Sequence, residues 1–297
     1  MSSVRVQSNA KVFSGVDRNA LDFRICFYAL CFIHHSHIAM VLLQIDFESH
    51  EDPKIRMYDH GKWKLFTTWF NLLYLAYFPL SLCCDMFERV ERPLKYLGKF
   101  RNELFTTILF PATLYADAMF WRVWTIDTEL IAPKGVDPLI PWYSQYSMHV
   151  VSLVVAVVDL LVVPRARPKS MVPGLALNTV FIVTYGGVTC YDIAHGMYIY
   201  PLLKRFSSLD LLLFLLYSII SNYFFYTLQW CIVDVVWKKK DDTKKKNYTS
   251  KQSTGYYAKD KCKVYDIYGI RAVFVCSRCV TGGAAHDRPA TASVGCS

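Results

Sequence analysis

The sequence predicts an all-α fold: a polytopic bundle of six transmembrane helices followed by a basic, disordered C-terminal tail. Three observations carry that expectation. Of 297 residues, 54% are hydrophobic and 15% aromatic, which is too apolar for an ordinary soluble domain and too long for a single helical anchor. Six apolar segments, at about 22–44, 65–85, 103–124, 142–163, 174–194 and 209–236, are each long enough to cross a hydrocarbon core. A core of ~30 Å needs about 20 helical residues at a rise of 1.5 Å each. None of the segments alternates in the manner of a barrel strand, and lipid cannot satisfy an open backbone, so each is expected to be a helix.

The formal charge of +9 resembles a nucleic-acid signal until it is located along the chain. Residues 238–297 hold ten Lys and three Arg against five Asp, a net +8, which leaves the body almost neutral at +1. A nucleic-acid partner is therefore not expected. Lys238-Lys239-Lys240 and Lys244-Lys245-Lys246 follow the last span directly. They suit anionic lipid at about 1 kcal/mol per cation, or serve as a stop-transfer flank that fixes orientation.

Loop charges set the expected topology. Arg5, Lys11, Arg18 and Arg24 precede span one; Arg89, Arg92, Lys95, Lys99 and Arg101 follow span two; Arg165, Arg167 and Lys169 follow span four. The third connection has only Lys134, and the fifth only Lys204 and Arg205. In the first connection Lys54, Arg56, Lys62 and Lys64 are balanced by five acids. Both termini are thus expected to be cytoplasmic. Three regions follow: a cytoplasmic arm over 1–21, a transmembrane domain over 22–236 and a cytoplasmic tail over 237–297. No cleavable signal is expected, because the first apolar segment is too long and no small-residue cleavage site follows it.

Taken in order, span one carries His34, His35 and His37. His34 and His37 share a helix face but lack a third ligand, so packing is expected rather than metal. Span two opens between Trp63 and Trp69, with Thr67, Asn71 and Tyr74 on one face at helical spacing. Span three closes on the aromatic belt Phe120-Trp121-Arg122-Val123-Trp124. The third connection is punctuated by Pro133, Pro138 and Pro141 and is expected to be rigid. Span four runs Gln145, His149 and Ser152 down one face. In span five, Gly186-Gly187 allows close helix approach, and span six is rich in Leu and Phe. The cysteines form no disulfide framework, and Cys276-Ser277-Arg278-Cys279 has no second pair to complete a zinc site.

The chemistry centres on Thr67 and His149. Measured from Trp63 and Trp142, both lie about 6 to 10 Å beneath one aromatic belt. They meet only if spans two and four are neighbours. A threonine hydroxyl becomes a nucleophile when a base lies within hydrogen-bond reach in a site that sheds water. Spacing alone does not separate this from packing, since membrane threonines commonly bond their own backbone and a lone histidine is commonly a satisfied core residue.

A set of motifs adds to that reading: Lys62-Trp63-Lys64-Leu65-Phe66-Thr67; Phe100-Arg101-Asn102-Glu103-Leu104-Phe105-Thr106-Thr107 with Phe110-Pro111; Leu130-Ile131-Ala132-Pro133-Lys134; Ile140-Pro141; Met148-His149; and Tyr200-Pro201. In order and spacing over roughly 22–236 they resemble the androgen-induced gene 1 protein family. The resemblance implies a six-span membrane hydrolase cleaving fatty acid esters of hydroxy fatty acids, drawn as lipid substrate from the bilayer, with no cofactor and no metal. It also implies Thr67 as nucleophile, His149 as base and an acyl-threonine intermediate. Asn71, one turn from Thr67, is an expected oxyanion donor. The expected membrane is the endoplasmic reticulum or the plasma membrane.

The chain departs from the motif in three ways. Thr68 adjoins Thr67, about 100° round the helix, and motif spacing favours Thr67. The tail beyond about 240 has no counterpart. No acid is placed by spacing to orient His149: Asp159 is about 15 Å along the helix, and Asp192 or Asp117 serve only if packing brings them in. The expectation is therefore a Thr-His dyad without a third member. The competing class is a non-catalytic six-span regulator or lipid sensor acting through protein partners.

Overall fold

In a computed structural model of the protein, residues 18–238 are described, together with the backbone of 265–267 and 270–272. The chain divides into two units, Met1–Lys238 and Lys239–Ser297. Within the second, Tyr265–Ile267 pairs antiparallel with Ile270–Ala272. The run Lys244-Lys245-Lys246, Asn247 and the Cys276–Cys279 pair lie outside the described residues, as does the arm before residue 18.

Six helices are long and apolar enough to cross a membrane: Arg18–Leu43, Phe66–Arg89, Lys95–Trp124, Trp142–Val162, Val172–Ala194 and Ser208–Trp237. The chain is thus an all-α, multi-pass membrane protein. We label the helical segments α1 (Arg18–Leu43), α2 (Pro53–Gly61), α3 (Phe66–Arg89), α4 (Lys95–Leu104), α5 (Phe110–Trp124), α6 (Trp142–Tyr146), α7 (Ser152–Val162), α8 (Val172–Ala194) and α9 (Ser208–Val233). Helix α2 sits in the first connection, where no helix was expected. The Asp52 side chain accepts from Lys54 N–H at 2.8 Å and Pro53 occupies the first turn, where a missing N–H costs nothing.

Two spans run past their expected inner ends because buried ion pairs carry them beyond the apolar stretch. Asp85, fully buried, accepts from Arg24 Nε at 2.9 Å and from Arg101 Nη1 at 2.7 Å. Arg24 also reaches Glu88 at 3.1 Å. The span beginning at Lys95 therefore starts eight residues before the expected 103, as a helix whose polar face is closed by Arg101. A second cluster joins Asp159 to Arg165, to the Tyr28 hydroxyl at 2.5 Å and to the Tyr77 hydroxyl at 2.9 Å. Each cluster satisfies charges that would otherwise be unpaired in a low-dielectric interior.

Pro111 shapes the centre of the bundle. Its ring opposes the carbonyl four residues earlier and it has no N–H to donate, and the helix before it relaxes into a π turn over Phe105–Leu109. The freed Thr107 carbonyl accepts from Asn178 Nδ2 of α8 at 2.8 Å, and the Thr106 carbonyl from Gln229 Nε2 of α9 at 2.6 Å. These side chains tie α8 and α9 to the central span where apolar contact alone gives little preference over lipid. A Cβ on Gly174 would lie 2.1 Å from the Tyr226 hydroxyl, so α8 and α9 close only because residue 174 is glycine. Of the expected pair Gly186-Gly187, only Gly186 makes a close approach, with Leu215 of α9 3.0 Å from where a Cβ would stand.

In span one, His35 is buried, with Nδ1 3.0 Å from the Cys31 carbonyl and its ring centroid 4.9 Å from that of Phe78. It is a packing residue.

Candidate functional site

At the end of the bundle away from the Asp85 and Asp159 clusters, a cavity of about 480 Å³ opens between the start of α3, the end of α5, the α6–α7 segment and the facing ends of α8 and α9. The third connection closes over it. Its Val136 and Ile140 pack with Phe47 and Ile55 of the first connection in a small apolar core of their own, which accounts for its expected rigidity. Thr67, Thr68 and His149 all line the cavity.

The two threonines differ in what holds them. The Thr68 hydroxyl donates to the Lys62 carbonyl at 2.7 Å and so closes the turn before α3. The Thr67 hydroxyl makes no hydrogen bond among the described residues. Elsewhere in the bundle Thr106, Thr107, Thr179, Thr189, Thr227, Ser152 and Ser218 each bond the carbonyl four residues back. Thr67 is the second residue of its helix, and the residue four back, Trp63, belongs to the separate 3-10 turn Lys62–Lys64 and not to α3. The same position leaves backbone donors open. Phe66 N–H donates to the Tyr200 hydroxyl at 3.0 Å and Trp69 N–H to the Leu65 carbonyl at 3.2 Å, while the N–H groups of Thr67 and Thr68 have no acceptor among the described residues. Tyr200 also lines the cavity, and burial holds its phenol above its ordinary value, so it remains a neutral hydroxyl at neutral pH.

His149 lies in a π turn, Ser147–Val151, between α6 and α7. Its ring is 2% exposed and stacks on Phe120 with centroids 3.6 Å apart and planes 7° from parallel. Nδ1 is 2.9 Å from Asp117 Oδ1, and the one proton of the Ser152 hydroxyl is shared between the other oxygen of Asp117, at 3.1 Å, and the Met148 carbonyl, at 2.5 Å. When Asp117 is ionised it can only accept, and Nδ1 then carries the proton and leaves Nε2 with a free lone pair. Nε2 has no partner among the described residues.

These contacts revise three expectations. The histidine is not without an acid: Asp117, left open because spacing did not place it, is brought in because α5 packs against α7. Its signal in the sequence was an acid inside an apolar span, which by itself points to function. The other acids are engaged elsewhere, Asp192 with Lys64 at 2.7 Å and Asp159 with Arg165. Spans two and four touch through the Tyr77–Asp159 hydrogen bond at the other end of the bundle, and near the site α5 packs against both α3 and α7, so that Thr67 and His149 share a cavity wall. No hydrogen bond joins them among the described residues. Asn71 donates one amide N–H to the Thr67 carbonyl at 2.9 Å and does not line the cavity, so the group expected as an oxyanion donor lies outside the site.

Comparison with known proteins supplies the relationship. The chain is 27% identical over 176 residues to the androgen-dependent TFPI-regulating protein of Mesocricetus auratus, covering 58% of this chain and 76% of that protein. It is 27% identical to the human protein of the same name over 54% of this chain and 71% of that one. It is 25% identical to the human androgen-induced gene 1 protein over 68% of this chain and 89% of that one. No solved structure matches the chain. The family model described as FAR-17a/AIG1-like protein matches residues 23–232, from within α1 to the last turn of α9, and the chain belongs to that family.

Proposed function

We propose that the protein is a membrane-embedded threonine hydrolase that cleaves fatty acid esters of hydroxy fatty acids. One observation carries the reading: an unengaged threonine hydroxyl and a histidine held by a buried carboxylate line one largely apolar cavity. Such a pairing supplies both a nucleophile and a base in a water-poor site.

In this reading Thr67 Oγ1 attacks the ester carbonyl carbon as its proton passes to His149 Nε2. Asp117 is a positioning residue: it fixes the tautomer that leaves Nε2 free and stabilises the imidazolium. The open N–H groups of Thr67 and Thr68 and the Tyr200 hydroxyl are the donors available to the oxyanion. Collapse of the tetrahedral intermediate breaks the ester C–O bond, and the departing alkoxide takes the proton from Nε2. A hydroxy fatty acid leaves and the acyl chain stays on Thr67. Water then gives a proton to Nε2 and its oxygen attacks the acyl-threonine. That releases the second fatty acid and restores both side chains.

We further place both termini in the cytoplasm, the site in the opposite leaflet of the endoplasmic reticulum or plasma membrane, the hydrolase domain over 22–236 and the tail as an appendage to it. The test is labelling of the full chain in lipid by a fluorophosphonate, with the adduct located by peptide mass spectrometry. An adduct on Thr67, together with release of hydroxy fatty acid, is expected. A protein that neither labels nor turns over a branched fatty ester is instead the non-catalytic regulator.

A further inference from the structure

A second cavity, of about 460 Å³, lies on the other side of the seam between α5 and α9. Tyr115 and Met119 line both cavities, so they form the partition between this groove and the site. The Tyr115 hydroxyl and Ser218 Oγ, 2.6 Å apart, close the seam with one hydrogen bond, and Met119 is a flexible thioether. Phe224 and Tyr217, both well exposed, open the groove on its far side.

The groove holds one charge. Arg122 is exposed, and its guanidinium has no ion pair, hydrogen bond or ring partner among the described residues; its carbonyl accepts from the Thr125 hydroxyl at 3.2 Å. It lies five residues beyond Asp117, about 7.5 Å along α5 and about 140° round it, so the helix presents Asp117 to the site and Arg122 to the groove. The lining of the catalytic cavity contains no Lys or Arg, and its loop acid Asp137 has the wrong sign for an anion. At its rim Lys62 is paired with Asp59 at 2.6 Å and Lys64 with Asp192 at 2.7 Å. An acidic lipid whose ester sits at Thr67 thus finds no free cation in the cavity itself.

We propose that the α5–α9 groove seats the carboxylate-bearing chain of the substrate. Arg122 holds the carboxylate, and the chain reaches the catalytic cavity past Tyr115 and Met119. This rests on the hydrolase reading for the chemistry but not for the binding. It assigns Arg122 to selection of esters with a free carboxyl group several methylenes from the scissile bond.

The experiment uses the full chain in nanodiscs of phosphatidylcholine, with a long-chain fatty acid labelled fluorescently at its tail end and the methyl ester of the same probe. The acid is expected to bind the wild type at least tenfold more tightly than the ester. Arg122→Gln should abolish that preference without weakening the ester, and Arg122→Lys should keep most of it. A second arm measures hydrolysis of a branched fatty ester as free acid and as methyl ester. Arg122→Gln should raise KM about tenfold for the acid with kcat unchanged, and leave the methyl ester alone. Equal binding of acid and ester by the wild type, or an unchanged preference in Arg122→Gln, overturns the proposal. So does loss of acid binding when phosphatidylserine is added to the disc, which would make the groove a phospholipid site. Absence of turnover in every variant would count against the hydrolase reading, and the binding arm would still decide the role of Arg122.

Discussion

Asp117 Oδ1 lies 2.9 Å from His149 Nδ1, across 32 residues of sequence and between two different helices, and both side chains are 2% exposed. A buried imidazole with one nitrogen bonded to a carboxylate has its tautomer and ring plane settled before substrate arrives, and the Phe120 ring stacked against it restricts tilting. The arrangement spends an acid inside an apolar span, which a purely structural histidine does not need.

Asp117→Asn tests that relationship. The amide is isosteric but presents either N–H or C=O to Nδ1, and the N–H face selects the wrong tautomer. Turnover is expected to fall by on the order of 10³-fold or more, with the thermal midpoint in detergent little changed. Near wild-type turnover would show that the carboxylate only fills space. Ser152→Ala, which removes the second partner of Asp117, should cost far less.

Thr67 and Thr68 should separate cleanly. Thr67→Ala removes the atom that forms the acyl-enzyme and should abolish labelling and hydrolysis while the bundle stays folded. Thr68→Ala loses one hydrogen bond to the Lys62 carbonyl, worth about 1 kcal/mol, and should keep most activity with a slightly lower thermal midpoint. The reverse outcome would move the nucleophile by one residue.

The ion cluster at the other end of the bundle should behave as structure and not chemistry. Asp85→Ala strands the buried Arg101 and leaves the buried Arg24 with Glu88 alone, and should destabilise by on the order of 3–5 kcal/mol. Poor yield and a large drop in thermal midpoint are expected, and any surviving folded fraction should hydrolyse at the wild-type rate. A folded, stable but inactive Asp85→Ala protein would tie the cluster to catalysis.

The topology makes a separate prediction. Asn247-Tyr248-Thr249 is a glycosylation sequon just beyond the last span, and with the tail in the cytosol it should stay bare. Expression in eukaryotic cells followed by glycosidase digestion should give no mobility shift at Asn247. Glycan there would invert the membrane orientation and put the catalytic cavity in the cytoplasmic leaflet.

The number of spans and their order were legible in the sequence, as was the placement of Thr67 and His149 near one end of the bundle, because each rests on a local property. Apolar length marks a span, aromatic belts mark depth, and motif spacing marks Thr67 and His149. Span ends were less legible. Lys95–Leu104 reads as a polar loop by hydropathy, and it is a helix because Arg101 finds Asp85 sixteen residues away. The carboxylate beside His149 was not legible: Asp159 lies too far along the same helix, Asp117 and Asp192 are equivalent one-dimensional candidates, and only the packing of α5 against α7 brings Asp117 to His149 while Arg165 and Lys64 take the others. Likewise a sequence shows a threonine but not whether its hydroxyl is already spent. The Thr67 hydroxyl is free because the chain enters α3 just before it, so no carbonyl of that helix stands four residues back, and Asn71 turns to the Thr67 carbonyl and away from the cavity. What a residue is follows from the chain; what it is free to do depends on which partners the tertiary structure has already given it.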